Sequence, residues 1–292
     1  MRGISLTHFA VGLLSLHLFT GGAGGARRPS GSVAPAGSHG GARQDEGAFD
    51  SLEKALREPG KVKRLAVQGG EDPEMKHLPP GLGRLVNLEA LELACLEKLE
   101  ELPEEIGQLQ RLEELVIDNG NGCTMNVRLP RSVGRLSNLR VLRLYGALDP
   151  RDLEDKRPVK SKALPDTLGE LRRLEELDLG RNGITSVPPQ VASLRGLKKL
   201  SLDYNDIRQL PSFVGDLPNL RELSVNANGG VVLPQSLAKI KGLKVFMGNN
   251  RLKLRDQKAL RARFPDAVFS FENEYDDDAA NQEPPKPKAR RR

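Results

Sequence analysis

The chain predicts an α/β solenoid, a curved stack of turns with a parallel β-sheet on its concave face and short helices on its convex face. Three observations predict it. Leu174, Leu197, Leu220 and Leu243 follow one another at 23 residues each time. Each opens the phrase L-x-x-L-x-L, then a polar turn, then a Leu-Pro or Val-Pro step and a closing apolar-Gly-x-Leu pattern. Looser copies open at Val62, Leu88, Leu112 and Leu139, so eight turns follow in sequence. A fixed period of about 20–29 residues marks units that bury their apolar face only by stacking.

The elements before the array read as follows. Residues 1–26 resemble a secretory leader: Arg2 supplies a positive start, Phe9–Phe19 an apolar stretch, and Gly21-Gly22-Ala23 or Gly24-Gly25-Ala26 a small-residue cleavage site. The competing reading is an unstructured start on a cytosolic protein. The stretch is too short for stable membrane insertion. Residues 27–46 are rich in Gly, Ala, Ser and Arg and read as a linker that cannot supply a core. Residues 47–61 read as a capping helix. Asp50 or Ser51 caps it, Glu53 lies in its first turn, Leu52, Ala55 and Leu56 give it an apolar face, and Pro59-Gly60 stops it.

Residues 62–271 hold the repeats. In the copy at Leu174, Leu177 and Leu179 are two apart and point to one face of a short strand, so Glu176 and Asp178 point to the other. In Leu102-Pro103-Glu104-Glu105-Ile106-Gly107-Gln108-Leu109, proline suits the first turn of a short helix and the apolar positions three apart face inward. L-x-x-L-x-L-x-x-N-x-L is intact at Leu174–Ile184 and Leu197–Ile207 and resembles the leucine-rich-repeat family, in its Leu-Pro subclass of about 23 residues. The resemblance implies that Asn182, Asn205 and Asn228 form a buried ladder, each amide satisfying backbone groups of the adjacent turn. Some bacterial members of that family fuse the repeats to a ubiquitin-ligase domain with a catalytic cysteine; the residues outside the array leave no room for one, so no fused catalytic domain is expected.

Leu139 to Leu174 spans 35 residues, 12 more than a regular turn. The excess lies at Asp149–Lys162 and reads as a charged loop beside the concave rim. A helix near Asp256–Arg263 and a strand Ala267–Phe271 close the array and blunt its open sheet edge. Residues 272–292 run from acidic to basic and read as a solvated tail. Cys95 and Cys123 fall on neighbouring turns. A bridge is conceivable in an exported protein, but the reading adopted is two unpaired, partly buried thiols.

Composition narrows the function. The net charge of +6 comes from 45 basic against 39 acidic residues, with much of the excess in the flanks. Nucleic-acid binding wants a clustered basic face and aromatic platforms, and the chain has 3 Tyr, 8 Phe and no Trp. The motifs G-x-S-x-G, H-E-x-x-H and the phosphate-binding G-x-x-x-x-G-K-[ST] are missing from the sequence, so no catalytic, cofactor or metal residue is assigned. The candidate site is the concave surface: Arg143, Glu176, Asp178, Lys199, Ser201, Glu222 and Ser224 on the strands, with Tyr145, Arg181, Asp203, Tyr204 and Asn226 just beyond them. Val245 and Met247 are read as the outward pair of the last turn. Charge of alternating sign, with Tyr and Arg as anchors, fits a protein or peptide of mixed charge. The expectation is a monomeric, exported (secreted or periplasmic) binding module without a cofactor. A cytosolic scaffold or regulator of the same fold is the first alternative, and an enzyme using the acidic concave pairs is the second.

Overall fold

The computed structural model describes residues 46–69, 74–119, 123, 126–148 and 164–271. The leader, nearly all of the linker, the Asp149–Lys162 insertion and the charged tail lie outside the described residues. Ten strands form one parallel sheet in chain order: β1 (Ala48–Phe49), β2 (Arg64–Gln68), β3 (Ala90–Ala94), β4 (Glu114–Asp118), β5 (Val141–Tyr145), β6 (Glu176–Asp178), β7 (Lys199–Ser201), β8 (Glu222–Ser224), β9 (Lys244–Phe246) and β10 (Val268–Ser270). Strands β2 to β9 are the eight repeat turns. Two α-helices, α1 (Leu52–Arg57) and α2 (Leu254–Arg263), flank them.

The leucine phrase explains the sheet. The central inward residue of each strand stacks on the next in strict register: Leu65, Leu91, Leu115, Leu142, Leu177, Leu200, Leu223 and Val245. All eight are buried in one continuous core. Opposite the sheet, seven five-residue 3-10 helices line the convex side among the described residues. Each has proline at its N-cap, one position earlier than the sequence suggested, and that proline's carbonyl accepts the first helical hydrogen bond, as in Ile106 N–H to Pro103 O at 3.0 Å. Short 3-10 turns let neighbouring repeats approach closely. A Cβ added to Gly107 would stand 2.7 Å from Ser132 Cβ and 2.8 Å from its carbonyl.

The last turn departs from the assigned register. Leu223 pairs with Val245, a step of 22 residues, so Leu243 opens its copy one position late. Val245 and Met247 are both 1% exposed and belong to the core; Lys244 and Phe246 take the concave positions instead. The same one-residue shift brings Asn250 into the asparagine row.

That row is a buried ladder. Asn205 Oδ1 accepts from the backbone N–H of Asn182 (3.0 Å) and Ile184 (3.1 Å), and its Nδ2 donates to the carbonyls of Leu179, Leu202 and Asp203. Asn228 and Asn250 repeat the pattern one and two turns on. Asn182 reaches back to the Leu144 carbonyl and accepts from the Leu148 N–H. A second amide row joins turns where the chain returns to the sheet: Asn87 donates to Gly60 O, Asn138 to Gln110 O and Asn219 to Arg195 O.

Upstream, the ladder position holds Leu96 and Ala147, and the buried amide of Asn119 donates instead to Gly146 O at 2.9 Å. At that end Cys95 and Cys123 form a disulfide, with Cα atoms 5.4 Å apart. The expectation of two unpaired thiols is therefore corrected. Stacking of adjacent turns brings the two half-buried cysteines within bonding reach, which their separation of 28 residues in sequence does not reveal. The bridge ties the turn after β3 to the loop after β4, upstream of the asparagine ladder. Reduction, or Cys95→Ser with Cys123→Ser, is expected to lower stability by about 3.5 kcal/mol, the loop-closure value for a ring of this size. Thermal melting with and without reductant checks this; an unchanged midpoint would contradict it.

At the N-terminal end β1 pairs with β2 and precedes α1, a strand the sequence did not reveal. Helix α1 buries Leu52 and Ala55. Ser51 makes no side-chain cap; Asp50 instead pairs with Lys54 at 3.1 Å. At the other end α2 buries Gln257, and Phe269 of β10 packs against Phe264 on one side and stacks on Phe271 on the other.

Candidate functional site

The concave face is the outward side of the sheet. Period-2 alternation turns Arg143 (β5), Glu176 and Asp178 (β6), Lys199 and Ser201 (β7) and Glu222 and Ser224 (β8) onto it. Tyr145 ends β5. The residues in register with it on the next turns are Gly180, Asp203 and Asn226, and Arg181 and Tyr204 follow one position later.

These residues fall into two groups. The first is occupied within the fold. Arg143 Nε donates to Glu176 Oε1 at 2.8 Å, and its guanidinium lies 3.5 Å from Glu114. Glu222 lies 3.6 Å from Lys199 and 3.4 Å from Lys244. Asp178 accepts from the Gly180 N–H at 2.8 Å and from the Ser201 side chain. Asp203 Oδ1 accepts from Ser224 Oγ (2.6 Å) and the Asn226 N–H (2.7 Å), and Asn226 Oδ1 accepts from the Gly248 N–H. Side chains just past one strand thus hold the backbone just past the next. The sequence named these residues as candidate partner contacts; within the fold Asp178, Asp203 and Asn226 also hold turns, and Arg143, Lys199 and Glu222 pair across strands.

The second group faces outward. Tyr204 is 52% exposed and Arg181 is exposed as well, both in the left-handed region at φ 55° and 58°. Their N–H groups donate to Asn226 O and Asp203 O, which fixes the turn despite that strain. The Tyr145 ring lies against Gly180: a Cβ there would come within 2.8 Å of Tyr145 Cδ2, so only glycine leaves room for the ring. Tyr145, Arg181 and Tyr204 together form a rim beside the occupied strands.

Electrostatics set the sign of this surface. Between β3 and β8 the face and rim carry seven carboxylates, those of Glu92, Glu114, Asp118, Glu176, Asp178, Asp203 and Glu222, against three cations, Arg143, Arg181 and Lys199. Partial burial, then the carboxylates of Asp118 and Glu114, hold Glu92 above its ordinary pKa. Burial likewise raises Asp178, against the hydrogen bonds it accepts. Burial works against the charge of Arg143, but Glu176, then Glu114 and Asp178, outweigh it and its pKa rises. Asp118 was missed as a site residue; its register with Tyr145 was the available signal. Among the described residues, no three His, Cys, Asp or Glu side chains group in a way that could hold a metal ion. The Asp276–Asp278 run lies outside the described residues.

Residues 172–229 match the family model described as Leucine rich repeat. Over 132 residues the chain is 33% identical to TMV resistance protein N of Nicotiana glutinosa, covering 39% of this chain and 11% of that protein. Over 68 residues it is 38% identical to Uridine 5'-monophosphate transferase of Xanthomonas campestris pv. campestris (strain 8004), covering 23% of this chain and 12% of that one. The chain therefore spans about a tenth of the length of these curated relatives. Among solved structures, the crystal structure of PEPR1-AtPEP1 is similar at a TM-score of 0.46 and 18% identity, over 71% of this chain and 27% of that one.

Proposed function

We propose that this leucine-rich-repeat protein is a binding module that takes a protein or peptide on its concave face, at the rim of Tyr145, Arg181 and Tyr204, without performing chemistry there. One observation carries the reading. Beside strands on which Arg143, Lys199 and Glu222 form cross-strand ion pairs, and turns that Asp178, Asp203 and Asn226 hold, an exposed Tyr and an exposed Arg stand with a half-buried Tyr. Tyrosine and arginine are enriched among the few residues that carry most of the energy of protein interfaces, and a preformed rigid rim spares the ordering cost. The carboxylates argue against catalysis. Glu92 and Asp178, the two raised ones, stand three strands apart with Arg143 near both, not as a facing acid–base pair.

The bridge of Cys95 and Cys123 supports export to the cell exterior or periplasm, because disulfides persist in oxidising compartments. The apolar stretch Phe9–Phe19 agrees. A cytosolic scaffold would hold both thiols reduced. Thiol counting on protein recovered from the native compartment separates the two.

The test of the site is partner capture from the source cells and their medium, comparing the full chain with Tyr204→Ala combined with Arg181→Glu. Both side chains are exposed, so the melting midpoint should not move. The partner's affinity is expected to fall about 30-fold or more, the equivalent of ~2 kcal/mol. Full retention by the double variant would move the site off this rim.

A further inference from the structure

We propose that a pocket on the convex side, between the 3-10 helices Asp166–Glu170 and Pro189–Ser193, is an oxyanion site, and that Arg172 and Arg195 hold the head of a phosphate or sulfate ester there. The site is separate from the concave rim. Gly169, Glu170 and Arg172 line it from one turn, and Ala192, Ser193 and Arg195 from the next. Small residues leave its floor open. A Cβ added to Gly169 would stand 3.0 Å from Ser193 Cβ, so the two turns are in close contact at that floor.

The two arginines are the anomaly. Each follows the leucine that caps its 3-10 helix, Leu171 or Leu194. Each makes the same backbone bond, Arg172 N–H to Glu170 O at 2.8 Å and Arg195 N–H to Ser193 O at 2.9 Å, so the side chains leave adjacent turns from equivalent places. The equivalent residues of the other turns are Val86, Gln110, Ser137, Pro218 and Lys241, so only here do two cations adjoin in this row among the described residues. Earlier in the row Ser137 Oγ donates to Gln110 Oε1 at 3.3 Å, a donor matched to an acceptor. Arginine carries donors only, so Arg172 and Arg195 cannot satisfy each other. Among the described residues neither guanidinium has an ion pair or a side-chain hydrogen bond. Other cations of the array do have carboxylate partners, as Arg140 has Glu175 at 3.3 Å and Lys239 has Asp216 at 2.6 Å.

The donors define the ligand. Two guanidinium forks and the Ser193 hydroxyl line one opening. A carboxylate has two oxygens and fills one fork. A phosphate or sulfate group presents three or more, enough for a fork from each turn and for the hydroxyl. An anion held between the arginines also offsets the repulsion of like charges on neighbouring turns. Glu170 is the one acid against two arginines in the lining, so the pocket stays cationic. Its carboxylate opposes an anion and gives the test a second, opposite sign.

The experiment titrates the full chain with inorganic phosphate, inorganic sulfate and acetate, with sodium chloride holding the ionic strength constant. It reads the side-chain Nε–H signals of the arginines and the backbone amide of Ser193 by NMR. Phosphate or sulfate is expected to shift Arg172, Arg195 and Ser193 along saturating curves, while Arg84 and Arg208, exposed on other turns, do not saturate. The tighter of the two anions names the ester. Arg195→Gln is expected to weaken binding about tenfold, and Glu170→Gln to tighten it about threefold. Both side chains are exposed, so each variant should melt in chloride as the parent does. Shifts that climb without saturation at every exposed arginine would overturn the inference, since screening alone produces them. Binding unchanged by Arg195→Gln, or acetate held as tightly as phosphate and sulfate, would overturn it too.

Discussion

Asn205→Ala is expected to destabilise the protein by about 4 kcal/mol and to disturb the binding rim at the same time. The side chain accepts two buried backbone N–H groups and donates to three carbonyls. Alanine removes all five contacts without offering a substitute. Each buried donor left unmade costs about 1–3 kcal/mol, so the N–H groups of Asn182 and Ile184 alone account for most of the loss. Asp is no rescue, since it keeps the acceptor but not the donor and brings a buried charge. The neighbours make the change functional. Tyr204 precedes Asn205 and holds a left-handed conformation that the ladder stabilises. Once the ladder is broken, the turn should relax and the tyrosine move with it. Chemical unfolding measures the first effect and amide exchange at Arg181 and Tyr204 the second. A loss below about 1 kcal/mol would mean that water replaces the amide, and that the ladder is not the device holding this rim.

The fold was legible because the core rule is periodic. One leucine phrase, written eight times, fixes strand spacing, inward faces and stacking order. Where the phrase was clean, from Leu174 to Val225, the inward and outward assignments hold residue by residue. At Leu243 they failed, because L-x-V-x-M satisfies the apolar pattern in two registers one residue apart, and a slip of one exchanges the faces. Only pairing with Leu223 selects the register with Val245 and Met247 inside. The row of Asn87, Asn138 and Asn219 was illegible for a different reason. Each amide bonds a carbonyl of the previous turn, and such a partner has no signature in the local phrase. The disulfide is of the same kind: 28 residues separate its cysteines in sequence, and only the stacking of neighbouring turns brings them together.

The site was legible as a face but not as a set of contacts. Strand alternation placed Glu176, Asp178, Lys199 and Glu222 on the solvent side. It could not say that Asp178 holds the Gly180 N–H, that Asp203 holds Ser224 and Asn226, or that Glu222 lies between two lysines. Polar residue types are shared by surfaces that bind partners and surfaces that hold themselves together. Hydrogen bonds set Asp178, Asp203 and Asn226, which hold turns, apart from the exposed Arg181 and Tyr204 on which the proposed site rests. Charge reversal at Asp178 would thus injure the turn, whereas a change at Tyr204 reads binding.

Leu200→Ala should cost about 4–5 kcal/mol, near the top of the range for removing a buried leucine. Leu200 is 1% exposed, with Leu177 and Leu223 stacked on either side in the sheet. Those flanking leucines are fixed by the ladder one turn away in each direction, so the cavity has little means of collapse. The same change at Leu52 in α1 should cost less, because the end of the array can relax. Position also changes the form of the transition. Each turn of a solenoid contacts only its neighbours, so a defect at β7 weakens the coupling between the two halves. Urea unfolding of the variant should show a lower midpoint and a broader transition with a smaller slope, as the half beyond β7 loosens first. A midpoint unchanged within error would contradict the register of the whole leucine column. The consequence for binding follows from where the joint lies. Tyr145 ends β5 on one side of it and Tyr204 follows β7 on the other, so the rim spans the interface that Leu200 holds closed. The variant should therefore lose partner affinity well below its unfolding midpoint, while it still retains most of its strand content.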